Sequence, residues 1–537
     1  MATLLTTNEV GDPIRAGIAN GWKVIDASRL AEDLMLETDV VIVGTGAGGG
    51  VAAEILTGAG LDVILVEEGP LKSSSDFRMG EAEAYADLYQ ESGARKTRDK
   101  AISILQGRCV GGGTTVNWTS SFRTPPATLA RWANAYGIAG FTVDDLSPWF
   151  ERMEARLAIA PWNVAPNANN AALARGAAAL GYASGTIRRN VKGCWNLGYC
   201  GMGCPTNAKQ SMLVTTIPGA LSRGATLVTR ARALAFETRH DRVQSLACVA
   251  MNALGTVPRP RRITVRARAY VASAGAIGTP ALLLRSRVPD PHAILGKRTF
   301  LHPTVVSAAV MSERIDGFSG APQTIYSDQF LDVVPTDGPI GFKLEAPPIH
   351  PLLTAITLPN HGASHAQKMR ELPHLHVLIA LLRDGFHPAS VGGTVRLADD
   401  GTPTLEYPLN DYLWDGVRRA FAAMADIQFA AGARSVLPVH GDGSAFADAS
   451  AARKAIGDFA LRPLATPIVS AHVMGGAPLG PDPRAAAVDP QGRYHHLANL
   501  HVLDGSLFPT SIGANPQLSI YAVVAKLATA LAASIAT

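Results

Sequence analysis

The first residues whose types and spacing suit a chemical task are three glycines near the start of the chain. Gly44, Gly46 and Gly49 form a GxGxxG pattern, and Glu67 follows the last of them by eighteen positions. In dinucleotide-binding proteins the first glycine permits a tight turn, the second lets the backbone approach a pyrophosphate, and the third lets a helix pack closely on a strand. An acidic residue at the position of Glu67 is placed to bind the ribose hydroxyls. The pattern therefore predicts dinucleotide binding.

The flanking sequence supplies the elements that must position this turn. Val40–Val43 is a β-branched run typical of a buried parallel strand, and Val63–Val66 is a second one. Between them, Ala52–Leu56 predicts a helix that ends near Gly58. A strand, a helix and a strand in close succession predict a doubly wound α/β domain. The alternative is a glycine-rich surface turn followed by a solvated acid.

A second glycine-rich segment, residues 106–118 with the sequence QGRCVGGGTTVNW, favours backbone exposure over side-chain packing. Here the chain resembles the glucose-methanol-choline (GMC) family of flavoenzymes, whose first signature has the form G(R/K)xxGG(S/G)(S/T)xxN. A second family signature, SAGAIGTP at residues 273–280, follows in the same order. From the residues alone, Thr279 is the expected N-cap and Pro280 the first residue of a helix.

The resemblance implies that the cofactor is FAD. It also implies a Rossmann-type FAD-binding domain, residues 1–299 and 466–537, with an inserted α+β substrate domain of residues 300–465. Asn117 is implied to lie near the reactive edge of the flavin. The full set of residues assigned to cofactor binding is Gly44, Gly46, Gly49, Glu67, Gly107, Arg108, Gly111, Gly112, Thr114, Asn117, Gly275, Asp504, Gly505, Asn515, Pro516 and Gln517.

The segment from Phe300 to about Ala465 differs in composition, with a Pro347-Pro348 pair and no nucleotide motif. It predicts an inserted domain built on an antiparallel sheet, in which Leu375–Leu382 and Gly393–Leu397 are strands on either side of a turn. Its histidines follow no recognised metal-ligand spacing, so solvated or core positions are expected for them. They are His350, His361, His365, His374, His376 and His387.

The end of the chain carries the residues assigned to catalysis. Leu500–Leu503 predicts a strand, and Asn515 with Pro516 predicts the start of a helix. By resemblance, His472 takes the place of the catalytic histidine of the family, and Asn515 takes its second catalytic position, which is His or Asn. The ordinary pKa of an imidazole suits proton transfer near neutrality. A core histidine and a simple helix cap are the alternatives.

Three of the five cysteines, Cys194, Cys200 and Cys204, lie within eleven residues of one another. Similar spacing in membrane-associated glucose dehydrogenases of the family holds an iron–sulfur cluster. Clusters usually take four thiolates and no fourth cysteine is nearby, so buried or loop cysteines without a metal are favoured. The adjacent Lys209-Gln210-Ser211 is similar to the long-chain alcohol oxidase branch, where this loop lies near the substrate.

Composition narrows the class of protein. The 537 residues are 47% hydrophobic and 17% charged, and a net charge of +4 without a basic run gives no reason to expect nucleic acid. Five cysteines are too few for a disulfide framework, which favours a cytoplasmic location. Residues 1–38 contain no apolar core of a signal peptide. Leu518–Ile535 is interrupted by Lys526 and is expected to be a buried C-terminal helix rather than a membrane span.

The expected reaction is FAD-dependent oxidation of a primary or secondary alcohol. His472 would accept the hydroxyl proton, a hydride would pass to flavin N5, and Asn515 would hydrogen-bond the oxygen. The resemblance to the long-chain alcohol branch favours a hydrophobic substrate, with oxygen or a quinone or cytochrome as electron acceptor and peripheral membrane association as an option. Rival functions are a flavin-containing hydroxynitrile lyase, the flavin subunit of a membrane-linked dehydrogenase complex with an iron–sulfur relay, and a nicotinamide dehydrogenase.

Overall fold

The structure is a computed structural model that describes residues 10–332, 335 and 337–536. Residues 1–9, which belong to the stretch expected to lack a signal peptide, lie outside this range. The described strands are β1 (Lys23–Asp26), β2 (Leu34–Val43), β3 (Val63–Val66), β4 (Ile102–Ile104), β5 (Ile159–Pro161), β6 (Gly185–Thr186), β7 (Arg188–Asn190), β8 (Thr226–Thr229), β9 (Ala231–Arg239), β10 (Arg242–Met251), β11 (Pro258–Ala272), β12 (Lys297–Leu301), β13 (Thr304–Met311), β14 (Ile325–Ser327), β15 (Phe342–Glu345), β16 (Leu375–Leu382), β17 (Gly393–Leu397), β18 (Pro403–Glu406), β19 (Ala433–Pro438), β20 (Ile468–Ser470), β21 (Val473–Gly475) and β22 (Leu500–Val502).

The helices connect these strands and cover the faces of the sheets. They are α1 (Pro13–Ala19), α2 (Ala47–Gly58), α3 (Glu81–Leu88), α4 (Gly113–Val116), α5 (Pro126–Tyr136), α6 (Val143–Arg156), α7 (Ala168–Ala179), α8 (Thr216–Leu221), α9 (Gly275–Arg285), α10 (Gln329–Asp332), α11 (Pro351–Thr357), α12 (Gly362–Arg370), α13 (Asp411–Ala430), α14 (Ala449–Asp458) and α15 (Gln517–Ala536).

The first large sheet has a parallel core in the order β1-β8-β3-β2-β11, with β22 also parallel to β11. β9 and β10 extend it as an antiparallel meander on β11. The predicted strand–helix–strand unit is present, since β2 and β3 flank α2 and all four residues of β3 are buried. β2 begins at Leu34, well before the β-branched run. The sheet is the Rossmann-type core that the sequence predicts.

The second large sheet is antiparallel except for one pair. Its order is β4-β20-β13-β16-β15-β14-β6, with β19 also on β13, and only β4 and β20 run parallel. The two strands predicted in this region occur with the predicted bounds. They are not partners, because β17 belongs to a separate four-stranded sheet, β18-β17-β12-β21. An α/β domain with an inserted antiparallel-sheet domain is thus confirmed, while the sequence-derived boundaries stay predictions.

The chain crosses between these two antiparallel sheets at two neighbouring places. β12 and β21 pair so that Leu301 lies opposite Val473, and β13 and β20 pair so that Thr304 lies opposite Val469. The short links 302–303 and 470–472 therefore lie side by side. Strand register, rather than sequence proximity, brings these two links together.

Two helix starts differ from the sequence expectation. α9 begins at Gly275, not at Pro280, so Thr279 lies inside the helix. The local rule that places proline in the first turn is overridden because the side chain of Asp504 accepts hydrogen bonds from Gly275 N and Thr279 Oγ1 and fixes an earlier start. α15 begins at Gln517, one residue later than expected.

α15 is the one helix in the described part of the chain that is long and apolar enough to cross a membrane. Its Gln517–Ile535 window has a mean hydropathy of 1.8, and 61% of that window is buried inside the protein. It packs against α2 and α6. Length and composition alone do not separate a core helix from a membrane span, whereas this packing is typical of a core helix.

Candidate active site

The turn between β2 and α2 is built from glycines because the backbone leaves no room for side chains. Gly44 adopts φ +100°, and a Cβ there would lie 2.2 Å from the carbonyl oxygen of Ser273. A Cβ on Gly49 would lie 2.0 Å from the carbonyl oxygen of Gly44. Gly44 therefore forms the turn and Gly49 brings the helix against the strand, as the sequence pattern predicts.

The second glycine-rich segment lies directly against the first. Gly112 has φ +52°, and a Cβ on it would lie 2.8 Å from the Cα of Gly46. The hydroxyl of Thr45 joins the two loops, since its Oγ1 accepts from Gly111 N at 3.0 Å and donates to Glu67 Oε2 at 2.5 Å. Together the loops form a cradle of bare backbone.

Glu67 directly follows β3 and lies at the rim of this cradle. Its carboxylate accepts from Thr45 N at 3.2 Å and from Gly69 N at 2.9 Å, in addition to the Thr45 hydroxyl. Burial raises the pKa of Glu67 above its usual value, against the opposing effect of these hydrogen bonds. Oε2 accepts both bonds from Thr45, whereas Oε1 accepts only the bond from Gly69 and keeps a lone pair that can accept from a ribose hydroxyl.

Asp504 plays a comparable part on the other side. One of its oxygens accepts from Gly275 N at 2.8 Å and from Thr279 Oγ1 at 2.6 Å, and the other accepts from Ser506 N at 2.8 Å. Burial is the main influence on its pKa, which is raised. Asp504 thus holds the first turn of α9 and the start of the Gly505–Leu507 turn beside the cradle.

A single cavity of about 770 Å³ joins these features. Most of the sequence-predicted cofactor residues line it: Gly44, Gly46, Glu67, Gly107, Gly112, Thr114, Asn117, Gly275, Asp504, Gly505, Asn515, Pro516 and Gln517. His472 lines it too. The volume lies in the range of cofactor sites. Cβ atoms added at the lining residues Gly46, Gly113 and Gly275 would meet no protein atom closer than 3.9 Å, so bare backbone faces open space there. The residues present therefore fit a dinucleotide such as FAD.

Three predicted cofactor residues do not line the cavity. Gly49 and Gly111 act behind it, through the close contacts and the hydrogen bond described above. The Arg108 side chain turns away, because its guanidinium donates to the carbonyls of Gly255 and Leu254 and lies 3.9 Å from Glu68. Arg108 anchors the loop rather than reaching the cradle.

Asn117 and Gln517 connect the glycine loop to the last helix. Asn117 Nδ2 donates to Gln517 Oε1 at 2.7 Å, and Tyr521 donates to the same oxygen at 2.7 Å. Gln517 Nε2 donates in turn to the carbonyl of Ser120 at 2.8 Å. Both side chains are therefore committed to holding the wall of the cavity in place.

His472 lies on the link between β20 and β21, where it meets a second histidine that sequence reasoning missed. The Nδ1 atoms of His472 and His302 are 3.0 Å apart, and the two rings cross at 86°. His302 Nε2 accepts from the backbone N–H of Gly513 at 3.2 Å. Desolvation lowers the pKa of His472 to about 4 and that of His302 well below its usual value, so both rings are neutral near pH 7.

Asn515 lies two residues beyond Gly513 and contacts another residue that the sequence did not reveal. Its Nδ2 donates to Glu345 Oε2 at 3.3 Å, and Gln323 Nε2 donates to the same oxygen at 2.5 Å. Burial raises the pKa of Glu345 to about 7. Asn515 Oδ1 and Glu345 Oε1 are buried without a hydrogen-bond partner in the described structure.

One arm of the cavity is apolar. It runs between β13, β16 and α11, whose side chains supply most of its wall. The lining residues of this arm are Val306, Ala308, Pro347, Pro348, Ile349, Leu353, Leu358, Val377, Ile379, Leu381, Val439 and Val469. No sequence pattern predicts this surface, because strands buried on both faces show no alternation.

α11 closes this arm and is held by a carboxylate from outside the inserted domain. Glu81 of α3 accepts from the backbone N–H groups of Leu352 and Leu353 at 2.6 and 2.9 Å. A negative charge at a helix N-terminus satisfies free N–H groups and complements the helix dipole. On α11, Leu353 lines the cavity while Ile356 is 70% exposed.

The three clustered cysteines do not form a metal site. Cys200 Sγ accepts from the Arg189 guanidinium at 3.6 Å, Cys204 Sγ accepts from Lys209 N at 3.4 Å, and Cys194 Sγ accepts from a backbone N–H two residues on. Within the described ranges, no group of three or more His, Cys, Asp or Glu side chains could hold a metal ion. The arrangement gives no support to an iron–sulfur relay.

Lys209 ties the cysteine loop to the glycine loop. Its Nζ is buried and donates to the carbonyls of Thr115, Asn117 and Cys200 at 2.5, 3.0 and 2.7 Å. Burial lowers the pKa of Lys209 to about 8. The lysine therefore supports the wall of the cavity from behind.

Comparison with known proteins agrees with this geometry. Two family models described as GMC oxidoreductase match residues 85–304 and 388–524. An uncharacterised GMC-type oxidoreductase of Sinorhizobium fredii is 30% identical over 93% of this chain and 96% of its own length. A long-chain-alcohol oxidase of Arabidopsis thaliana is 27% identical over 94% of this chain and 70% of its own.

Solved structures show the same fold. A formate oxidase variant of Aspergillus oryzae, examined for modification of its FAD, superposes with a TM-score of 0.67 at 15% identity over 93% of this chain and 98% of its own. A pyridoxine 4-oxidase superposes with a TM-score of 0.66 at 18% identity over 91% and 98%. The chain belongs to the GMC oxidoreductase family and is an FAD-dependent oxidoreductase of the class that acts on CH–OH groups.

Proposed function

We propose that the chain oxidises the CH–OH group of a hydrophobic, long-chain primary or secondary alcohol to the carbonyl. The observation that carries this proposal is one continuous cavity, in which a glycine cradle and an apolar arm share a wall with His472 and Asn515. The relatives named long-chain-alcohol oxidases support the substrate class.

The apolar arm suits an alkyl chain for a simple energetic reason. Each methylene moved from water to an apolar wall contributes about 0.8 kcal/mol, so a chain of several carbons gains several kcal/mol before any polar contact is made. A sugar or choline would leave its polar groups unpaired against this wall. The arm therefore favours fatty alcohols over small polar ones.

The reaction removes a hydride from the carbinol carbon and a proton from the hydroxyl oxygen. FAD, when bound along the cradle, supplies the hydride acceptor. The chain binds the alkyl group, excludes water from it and holds the hydroxyl oxygen at His472 and Asn515. The proposed final electron acceptor is oxygen, because the named relatives are oxidases.

The test is anaerobic mixing of the purified, FAD-loaded protein with straight-chain alcohols of increasing length, followed by the flavin absorbance. We expect bleaching that becomes more efficient with chain length, and a rate at least ~100-fold lower in His472→Ala, the scale on which loss of a side chain that contacts the reacting oxygen acts. Admission of air should restore the colour. No bleaching by any alcohol would contradict the proposal, and bleaching by short polar alcohols alone would contradict the substrate class.

A further inference from the structure

His302 determines which nitrogen of His472 carries its hydrogen. A backbone N–H can only donate, so the Gly513 N–H at 3.2 Å requires a lone pair on His302 Nε2. The hydrogen of the neutral His302 ring must then be on Nδ1, where it is donated to His472 Nδ1 at 3.0 Å. Because His472 Nδ1 accepts, the hydrogen of the neutral His472 ring is on Nε2.

The opposite assignment is disfavoured by the same contacts. A hydrogen on His472 Nδ1 would need a lone pair on His302 Nδ1, which would place the His302 hydrogen on Nε2, facing the Gly513 N–H. Turning the His302 ring over would exchange nitrogens for carbons and lose both hydrogen bonds. The ring is buried, so water cannot replace them.

Glu345 orients Asn515 in a similar way. The buried Glu345 Oε2 accepts from one N–H of the Asn515 amide, which places the NH₂ group, not the carbonyl, on that side. An amide nitrogen has two N–H groups, so one remains as a donor. Gln323 donates to the same carboxylate oxygen and holds it in place.

We propose that His302 and Glu345 are positioning residues that make His472 Nε2–H and Asn515 Nδ2–H a two-donor site for one substrate oxygen. This inference rests on the proposed function. The two donors stabilise the negative charge that develops on the oxygen as its proton leaves, and the hydride then passes from the adjacent carbon to FAD as the C=O bond forms. The hydroxyl proton leaves to water, which is protonated, so His472 acts as a donor rather than as the base that the sequence suggests. The same pair of donors beside an apolar arm should bind a straight-chain carboxylate.

The direct test is the tautomer of His472 in the wild-type holoenzyme. The probe is ¹⁵N-histidine labelling, with the His472 signals identified by their loss in His472→Gln. We expect a hydrogen on Nε2 and a lone pair on Nδ1. A hydrogen on Nδ1 would overturn the proposal, whatever the substrate of the enzyme proves to be.

Two substitutions of His472 separate a donor from a base. Glutamine can donate through its amide but cannot take up a proton near neutral pH, whereas alanine can do neither. We expect octanoate, titrated against the flavin absorbance, to bind His472→Gln within about threefold of wild type and His472→Ala at least tenfold more weakly. The rate of flavin bleaching by alcohol should follow the same order. Equal loss of binding and rate in both variants would overturn the proposal.

A third variant tests His302 itself. His302→Phe keeps an aromatic ring of similar size but removes both ring nitrogens, so His472 can exchange its hydrogen between nitrogens. We expect a mixture of tautomers by ¹⁵N shifts and octanoate binding weakened by about tenfold, with FAD content unchanged. A variant that keeps a pure Nε2–H signal and wild-type octanoate affinity would show that His302 has no positioning role.

Discussion

The two ends of the cavity are built on opposite principles. At the cradle, the backbones of two loops are in direct contact. Gly112 and Gly46 approach so closely that a Cβ added to Gly112 would lie 2.8 Å from the Cα of Gly46. At the apolar arm, side chains from β13, β16 and α11 make the whole surface. A substitution at the cradle should therefore abolish most FAD binding, whereas a substitution in the arm should change the affinity for the alcohol only gradually. The difference indicates where this enzyme can change its substrate without losing its cofactor.

The largest expected effect is at the cradle and comes from Gly49→Ala. Its Cβ would meet the Gly44 carbonyl oxygen at 2.0 Å, so α2 must move off β2 and the cofactor turn opens. We expect loss of most bound FAD and destabilisation of about 1–3 kcal/mol, as for overpacked cores. FAD per chain and thermal unfolding measure this.

Gly58→Ala is the matched control at the other end of the same helix. No atom lies within 4 Å of its added Cβ, and alanine favours the helix. FAD content should be unchanged and stability equal or higher. If Gly49→Ala and Gly58→Ala lost FAD equally, the close packing of α2 on β2 would not explain why position 49 requires glycine.

The next effect is at the apolar arm and comes from Leu353→Ser. Loss of this side chain removes part of the wall, about 1–2 kcal/mol of apolar contact for a long alcohol. We expect KM for decanol to rise about tenfold with KM for ethanol nearly unchanged. Ile356→Ser, on the exposed face of the same helix, should alter neither value. Equal effects on both alcohols would place the alkyl chain elsewhere.

A smaller effect is expected in the pH dependence of stability, and it comes from Glu345 beside Asn515. The pKa of Glu345 is raised from 4.5 to about 7, so the folded protein binds more protons than the unfolded chain between these values. The stabilising contribution of its neutral form is present below about pH 4.5 and is lost as pH rises through about 7. The free energy of unfolding should therefore fall over this window, and fall less in Glu345→Gln. Parallel pH profiles of the two proteins would contradict this assignment.

The smallest effect is expected from Glu81→Gln. The amide has one acceptor oxygen, so it keeps only one of the two hydrogen bonds from the N–H groups of Leu352 and Leu353. It also removes the charge, which is worth about 0.3–1 kcal/mol at a helix N-terminus. Amide hydrogen exchange in residues 351–357 should become faster, with FAD content unchanged. Unchanged exchange would show that the arm is closed by side-chain packing alone.

The cradle could be predicted from the sequence because its requirements are local. Gly44, Gly46 and Gly49 lie within six residues, and Glu67 directly follows the next strand, so spacing alone identifies them. Gly112 was identified through the family signature. Prediction of the α9 start failed where a local rule, proline in the first turn, met a tertiary contact with Asp504.

The partners of His472 and Asn515, the proposed catalytic pair, could not be predicted in this way. His302 contacts His472 across 170 positions, and Glu345 contacts Asn515 across another 170. Both contacts depend on strand register and on the crossing of two links between sheets, which no local pattern encodes. His302-Pro303 matches no sequence signature. The contact between His302 and His472 could be predicted only from the correct strand pairing, in which Leu301 lies opposite Val473.

The two crossing links have a consequence for protein engineering. Most of the apolar arm is supplied by the segment between Thr304 and Val469, while His302 and His472 lie just outside its two ends. A graft of a related segment that keeps a glutamate at position 345, joined at these paired residues, would exchange the proposed alkyl-binding surface and leave the imidazole pair and the cradle in their own chain. The residues proposed to bind the alkyl chain and those proposed to act on the hydroxyl group can thus be exchanged separately, except that Glu345 of the exchanged segment must still contact Asn515.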